Sequence, residues 1–191
     1  MKNLRAKWLD ILELAIRINI FLKLLNYGIG KIIGGQFYKA GNIPESVGNT
    51  LLKDVGSYDL AWTFFGHSDG YILCIGISQL IAATLLLINR TKIIGALLLI
   101  PILLNIILVD VFYKVAYGAL FSACFYLAGA LFVLIRNKKV LMEALRRLLL
   151  KGKKILEVKG KVLYYTLTVV GVAVIFLIEL YFIGLFGYTD P

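Results

Sequence analysis

The chain has 191 residues, 60% of them hydrophobic and 17% charged, with a mean hydropathy of +0.86; a soluble domain carries roughly 25% charged residues, and a soluble fold of this length cannot hide so much apolar surface. The 21 lysines and arginines against 11 acidic residues, a net +10, would suggest nucleic acid on a soluble face, but their placement along the chain argues against it. Two cysteines exclude a disulfide-stapled scaffold and one histidine excludes multi-histidine metal or haem ligation, which leaves an integral membrane protein.

A helix rises about 1.5 Å per residue, so about 30 Å of hydrocarbon takes about 20 mostly apolar residues to cross. The first candidate span, 11 to 30, is apolar in bulk but carries Glu13, Arg17 and Lys23. Its flank does not read as a secretory signal peptide, because the basic start is followed by Asp10 and Glu13 rather than by a clean apolar core. Residues 31 to 68 follow as a long loop, irregular around Gly34, Gly35, Gly41 and Pro44. Its second part, 46 to 65, ends in Trp62, Phe64 and Phe65 and reads as an interfacial or re-entrant helix, or as a packed cap over the bundle.

Three spans without strain come next, at 71 to 89, 93 to 113 and 115 to 135. The segment 136 to 161 sets Leu141, Leu145, Leu148 and Leu149 among Arg146, Arg147, Lys151, Lys153 and Lys154. It reads as a basic amphipathic helix broken near Gly152 and lying on anionic lipid at the cytoplasmic face, with an acidic protein partner in the membrane as the alternative. The last span, 162 to 187, ends in a short tail.

Lysine and arginine stay on the cytoplasmic side of membrane proteins. With the N-terminus inside, fifteen of the twenty-one basic residues fall in inner segments and four (Lys31, Lys39, Lys53 and Lys114) in outer ones. The expectation is an all-α, polytopic transmembrane bundle, N-in and C-out. It comprises a four-span unit over 1 to 135 with its outer loop at 31 to 68, a connector over 136 to 161 and a fifth span over 162 to 191. The excess charge is then a topological device, and nucleic acid is not an expected partner.

Ionisable side chains in hydrocarbon cost at least ~2.5 kcal/mol each on insertion scales, so they mark partners or water-filled cavities. By depth, Lys23, Asn26, Gln79, Asn105 and Glu179 fall in the middle to outer part of the bilayer and are expected to line an outward-facing pocket for a lipophilic small molecule. Interhelical hydrogen bonding is the alternative role for the amides. Lys31, His67, Asp69 and Asp110 are the candidates for its mouth. His67 beside Asp69 suits proton transfer, although Ser68 or Asp69 equally suits the N-cap of the next helix. The sequence contains no Cys-x-x-Cys, His-Glu-x-x-His or Walker signature and no cofactor ligand set. Cys74 and Cys124 lie about 7 Å apart in depth at helical rise, too far for a disulfide relay.

Arg17, Gly28 and Lys31, then Gln36-Phe37, Phe65-Gly66-x-Ser68-x-x-Tyr71, Gly76, Arg90-Thr91, Gly95 and Asn105 together resemble the DoxX-like integral membrane proteins over about residues 15 to 135. The resemblance implies a four-helix membrane bundle in the bacterial cytoplasmic (inner) membrane. The family takes its name from the small subunit of a thiosulfate:quinone oxidoreductase, and many relatives have no assigned activity. Its second span often carries Glu where this chain has Gln79, which removes a proton-carrying group. The last span and its connector lie outside the pattern. Three functions compete: an accessory or scaffold subunit or binder of a lipophilic molecule, a quinone-linked redox subunit, and a small transporter, against which the lack of an inverted repeat speaks.

Overall fold

The computed structural model describes residues 2–149 and 161–186. The described residues are helical, with turns between helices and no strand. Helix α1 runs Lys2–Ile33; a one-turn α2 (Glu45–Gly48) and a 3-10 turn (Leu52–Asp54) lead to α3 (Ser57–Gly66). Then come α4 (Asp69–Leu87), α5 (Lys92–Phe112), α6 (Tyr117–Arg136), α7 (Lys138–Leu148) and α8 (Lys161–Phe186). Four of them, α4, α5, α6 and the 162–182 part of α8, are long and apolar enough to cross a membrane. Their ends lie within a few residues of the expected spans. Helix α1 begins well before residue 11, because nothing in Lys2–Asp10 breaks a helix: the stretch has no glycine or proline.

The chain divides into two units, 1–143 and 144–191. In the first, α1 packs along α4, α4 on α5 and α5 on α6, and α6 returns more lightly against α1. The four-residue links 88–91 and 113–116 make successive helices antiparallel. The core is formed by Ile20 and Leu24 of α1, Ala82, Ala83 and Leu86 of α4, Ala96, Leu99 and Leu103 of α5, and Tyr126, Ala130 and Val133 of α6. Apolar side chains also cover the outside, among them Leu22, Ile81, Leu97, Leu108, Phe121 and Phe125. That pattern suits lipid rather than water as the surrounding medium.

Small residues let the helices close. A Cβ at Gly76 would come 2.7 Å from Ile32 Cγ1 and 3.2 Å from the Gly28 carbonyl oxygen, so α1 and α4 meet backbone to backbone there. At the other crossing, a Cβ at Gly129 of α6 would stand 2.8 Å from both Ile16 Cγ2 and Ile20 Cδ1 of α1.

The 46–65 stretch is not one helix. Gly48, Asn49 and Gly56 interrupt it, and only α3 is longer than a turn. Helix α3 buries Ala61, Trp62 and Gly66 while Phe64 stays exposed, so it is a packed cap at the start of α4. Helix α4 opens on an N-cap: the Ser68 hydroxyl oxygen accepts from the Tyr71 backbone N–H at 3.3 Å. Helix α5 ends with Lys114 in the left-handed region (φ 54°) and the Val115 N–H bonded to the Asp110 carbonyl at 3.0 Å, a Schellman-type closure.

In the second unit, α8 is a continuous apolar helix whose side chains are exposed wherever they are described, apart from half-buried Gly171. Helix α7 bridges the two units. Its Leu141 packs on the core of the first, and Lys139, Glu143, Arg146 and Arg147 share an arc opposite Leu141, Leu145 and Leu148. The expected break near Gly152, together with Lys151, Lys153, Lys154 and the short tail, lies outside the described residues.

Candidate functional site

Four helices present inward residues at three- and four-residue spacings near one end of the first unit. These are Leu24, Tyr27 and Lys31 of α1, Ile75 and Gln79 of α4, Leu103, Ile106 and Asp110 of α5, and Ala119, Ser122, Ala123 and Tyr126 of α6. They enclose a cavity of about 110 Å³ with a second of about 60 Å³ adjoining it. Lys31, Gln36, Trp62, Ile106 and Asp110 line both.

The polar content is small and deeply set. Lys31 is 5% exposed, Asp110 6% and Gln79 0%. Lys31 Nζ donates to Gln79 Oε1 at 2.7 Å, and Gln79 Nε2 donates to the Leu24 carbonyl at 3.3 Å. Gln79 is thus held at both ends of its amide, with its oxygen aimed at the lysine. Asp110 is different: its Oδ2 is buried with no hydrogen-bond partner, although it feels the charge of Lys31. A carboxylate oxygen kept from water without a donor is costly, and in a cavity it marks a place for one.

Trp62 closes this end from α3 and is itself clamped. Tyr58 stacks on it (centroids 4.2 Å), Phe37 meets it edge-on (5.6 Å), and its carbonyl accepts from the Tyr38 N–H at 3.2 Å. The Tyr38 hydroxyl donates to Asp59 Oδ1 at 3.1 Å. Burial, and then the Asp59 carboxylate, push this phenol above its ordinary pKa.

The placement differs from the expectation by depth. Gln79 is in the cavity, and Asn105 lines the smaller chamber from an exposed position. Lys23 and Asn26 are exposed, because the buried stripe of α1 runs through Ile20, Leu24, Gly28 and Lys31, and Lys23 points about 100° away from Leu24. Glu179 is exposed on α8, in the second unit. Lys31 and Asp110 are walls of the cavity rather than its mouth. His67 and Asp69 are exposed outside it; Asp69 pairs with Lys39 at 3.1 Å, and His67 edges an open surface depression beside Phe64 and Tyr71. Arg146 and Arg147 are exposed on α7. Among the described residues no group of His, Cys, Asp and Glu could hold a metal ion.

The sequence reading missed Tyr27, Ser122 and Tyr126 in the cavity. Their signal was present: Tyr27 stands three residues after Leu24, and Ser122 four before Tyr126.

It also missed a network at the opposite end. Glu13 accepts from Lys92 Nζ at 2.6 Å, Arg136 Nε at 3.3 Å and Asn137 Nδ2 at 3.4 Å, and lies 3.7 Å from Arg17 Nη1. Arg136 also pairs with Asp10. Arg17 donates to the Leu86 carbonyl at 2.8 Å, to the Leu87 carbonyl and to Asn89 Oδ1 at 2.7 Å. It thereby satisfies carbonyls that the end of α4 leaves open. Glu13 and Arg17 stand four residues apart in the sequence, a spacing that brings them together on one helix, whereas nothing in the sequence ties Lys92 or Arg136 to them.

No protein-family profile and no solved structure matches the chain. Over 98 residues it is 38% identical to YwoB, an uncharacterized protein of Bacillus subtilis (strain 168). The aligned stretch covers 51% of this chain and 57% of that protein.

Proposed function

We propose that the chain is a DoxX-like protein of the bacterial cytoplasmic membrane, with five spans, N-terminus inside and C-terminus outside, that binds a lipophilic small molecule in the Lys31–Gln79–Asp110 cavity. Its role is that of a non-catalytic accessory or scaffold subunit. One observation carries the binding reading: a buried carboxylate oxygen without a donor, opposite a buried ammonium, inside an apolar and aromatic chamber. Burying those two charges is expensive in any medium and most of all in a bilayer. A purely structural core has no use for an unsatisfied carboxylate, whereas a binding site does. The quinone-linked reading fits less well, because a quinone carbonyl accepts from Lys31 but offers nothing to Asp110 Oδ2. The placement of fifteen basic residues supports the orientation, and Arg146 and Arg147 with the lysines that follow would hold the inner surface to anionic lipid.

Native mass spectrometry of the full chain released from lipid nanodiscs tests this reading. A small molecule retained by the parent and absent from Lys31→Met/Asp110→Leu is the expected result. Parent protein free of any such molecule, in preparations from its native membrane, would count against binding. Quinone as the retained molecule would move the protein to the redox class.

A further inference from the structure

We infer that the cavity takes a lipophilic alcohol, an apolar body bearing one neutral hydroxyl, admitted sideways from the bilayer through the seam between α1 and α6. This rests on the small-molecule reading above and names its ligand class and its route.

The head group follows from what the walls lack. Asp110 Oδ2 needs a donor. Lys31 has three N–H groups and gives one to Gln79 Oε1, so it has donors left for an acceptor. A hydroxyl meets both needs with one oxygen. An ammonium head would satisfy Asp110 but face Lys31, and an anionic head would satisfy Lys31 but face Asp110. A zwitterion matches both charges yet must be stripped of water at two charged centres, and the other walls, apolar apart from the neutral groups of Tyr27, Gln36, Ser122 and Tyr126, return only part of that cost. An ether or ketone accepts without donating and leaves Asp110 as it was.

The route follows from the helix packing. Helix α6 touches α1 closely at Gly129, where a Cβ would collide with Ile16 and Ile20. About 10 to 15 Å further along α6 the cavity wall is Ser122 and then Ala119, both small and half-buried, and across from them stands Tyr27, 44% exposed. The seam is therefore tight at one end of the helix pair. At the other it is lined by short side chains and one phenol beside the lipid-facing surface.

The test uses the full chain in nanodiscs and a diazirine-bearing decanol as photolabel. Saturable labelling of peptides containing Tyr27 or Ser122 is expected. Unlabelled decanol should compete about tenfold better than decylamine, decyl sulfate or decyl methyl ether, the margin expected for one hydrogen bond to a charged group. Lys31→Met/Asp110→Leu should keep the parent's melting temperature and lose about tenfold in labelling. Ser122→Trp should block labelling, while Phe121→Trp, on the exposed side of α6, should leave it unchanged. Equal competition by all four compounds would overturn the alcohol and spare the binding reading. No saturable labelling by any head group would overturn both. Labelling that survives Ser122→Trp would overturn the lateral route.

Discussion

Asp110 and Lys31 face the same chamber without closing on each other, and each is stable there only while the other is charged. Replacing one leaves a buried charge uncompensated, which costs about 3 kcal/mol; replacing both by apolar side chains of similar volume is close to neutral. In a double-mutant cycle, Lys31→Met and Asp110→Leu should each lower stability in detergent by about that amount, and the double variant should lie within about 1 kcal/mol of the parent. Additive single effects would show that the two charges are independent. Lys31 and Asp110 were recognisable as residues of interest from the sequence alone, and so was Gln79. Their convergence was not. Sequence gives the depth of a residue in a span, from its distance to the ends, but the facing side must come from a contrast between apolar and polar faces. Helix α4 is apolar nearly all round, because lipid and core both accept leucine and isoleucine. On α1, depth alone puts Lys23 in the pocket and Lys31 at its mouth, whereas it is Lys31 that lies on the buried side of the helix.

Among the elements, the cap formed by α3 depends on side chains more than on helix length. Ten residues make a marginal helix, and α3 is fixed by Trp62, by the aromatic contacts around it and by the Tyr38–Asp59 bond. The folded state holds the Tyr38 proton more tightly than the unfolded chain does. The contribution of that phenol is therefore complete below about pH 10, the ordinary tyrosine value, and is lost as pH rises through the raised one. Trp62 fluorescence, read in a Trp8→Phe background, should shift toward that of a solvated indole above about pH 10. Tyr38→Phe should weaken this alkaline transition, and identical titrations of the two proteins would reject the cap contact as its cause. The sequence marked the aromatic cluster but not the break before it, since the glycines at 48 and 56 act on the backbone and leave no trace in hydrophobic pattern.

At the scale of the whole molecule, the apolar helices were legible because about 20 uninterrupted apolar residues have few other uses in a folded protein. Orientation is a separate matter and rests on the basic residues. Single cysteines at Asn49 and Lys153, in a background carrying Cys74→Ser and Cys124→Ser, should react with membrane-impermeant maleimide from opposite faces of the membrane. Reaction from one face only would remove the five-span arrangement.

The Glu13 network has a consequence for how the protein is made. In the proposed five-span arrangement, a helix carrying Glu13, Arg17 and Lys23 enters a bilayer poorly by itself, since a charge costs up to about 2.5–3.5 kcal/mol at the translocon, most at the centre of the span, where Lys23 stands. Its neutralising partners, Lys92 and Arg136, and the carbonyls that Arg17 covers at the end of α4 belong to segments synthesised later. Helix α1 should therefore wait at the membrane surface and settle last, drawn in by the helices that follow it. In a cell-free system with inner-membrane vesicles, a chain truncated after residue 60 should be extracted by carbonate and the complete chain retained. Glu13→Ala should return the N-terminal segment to the extractable state without affecting α4 to α6.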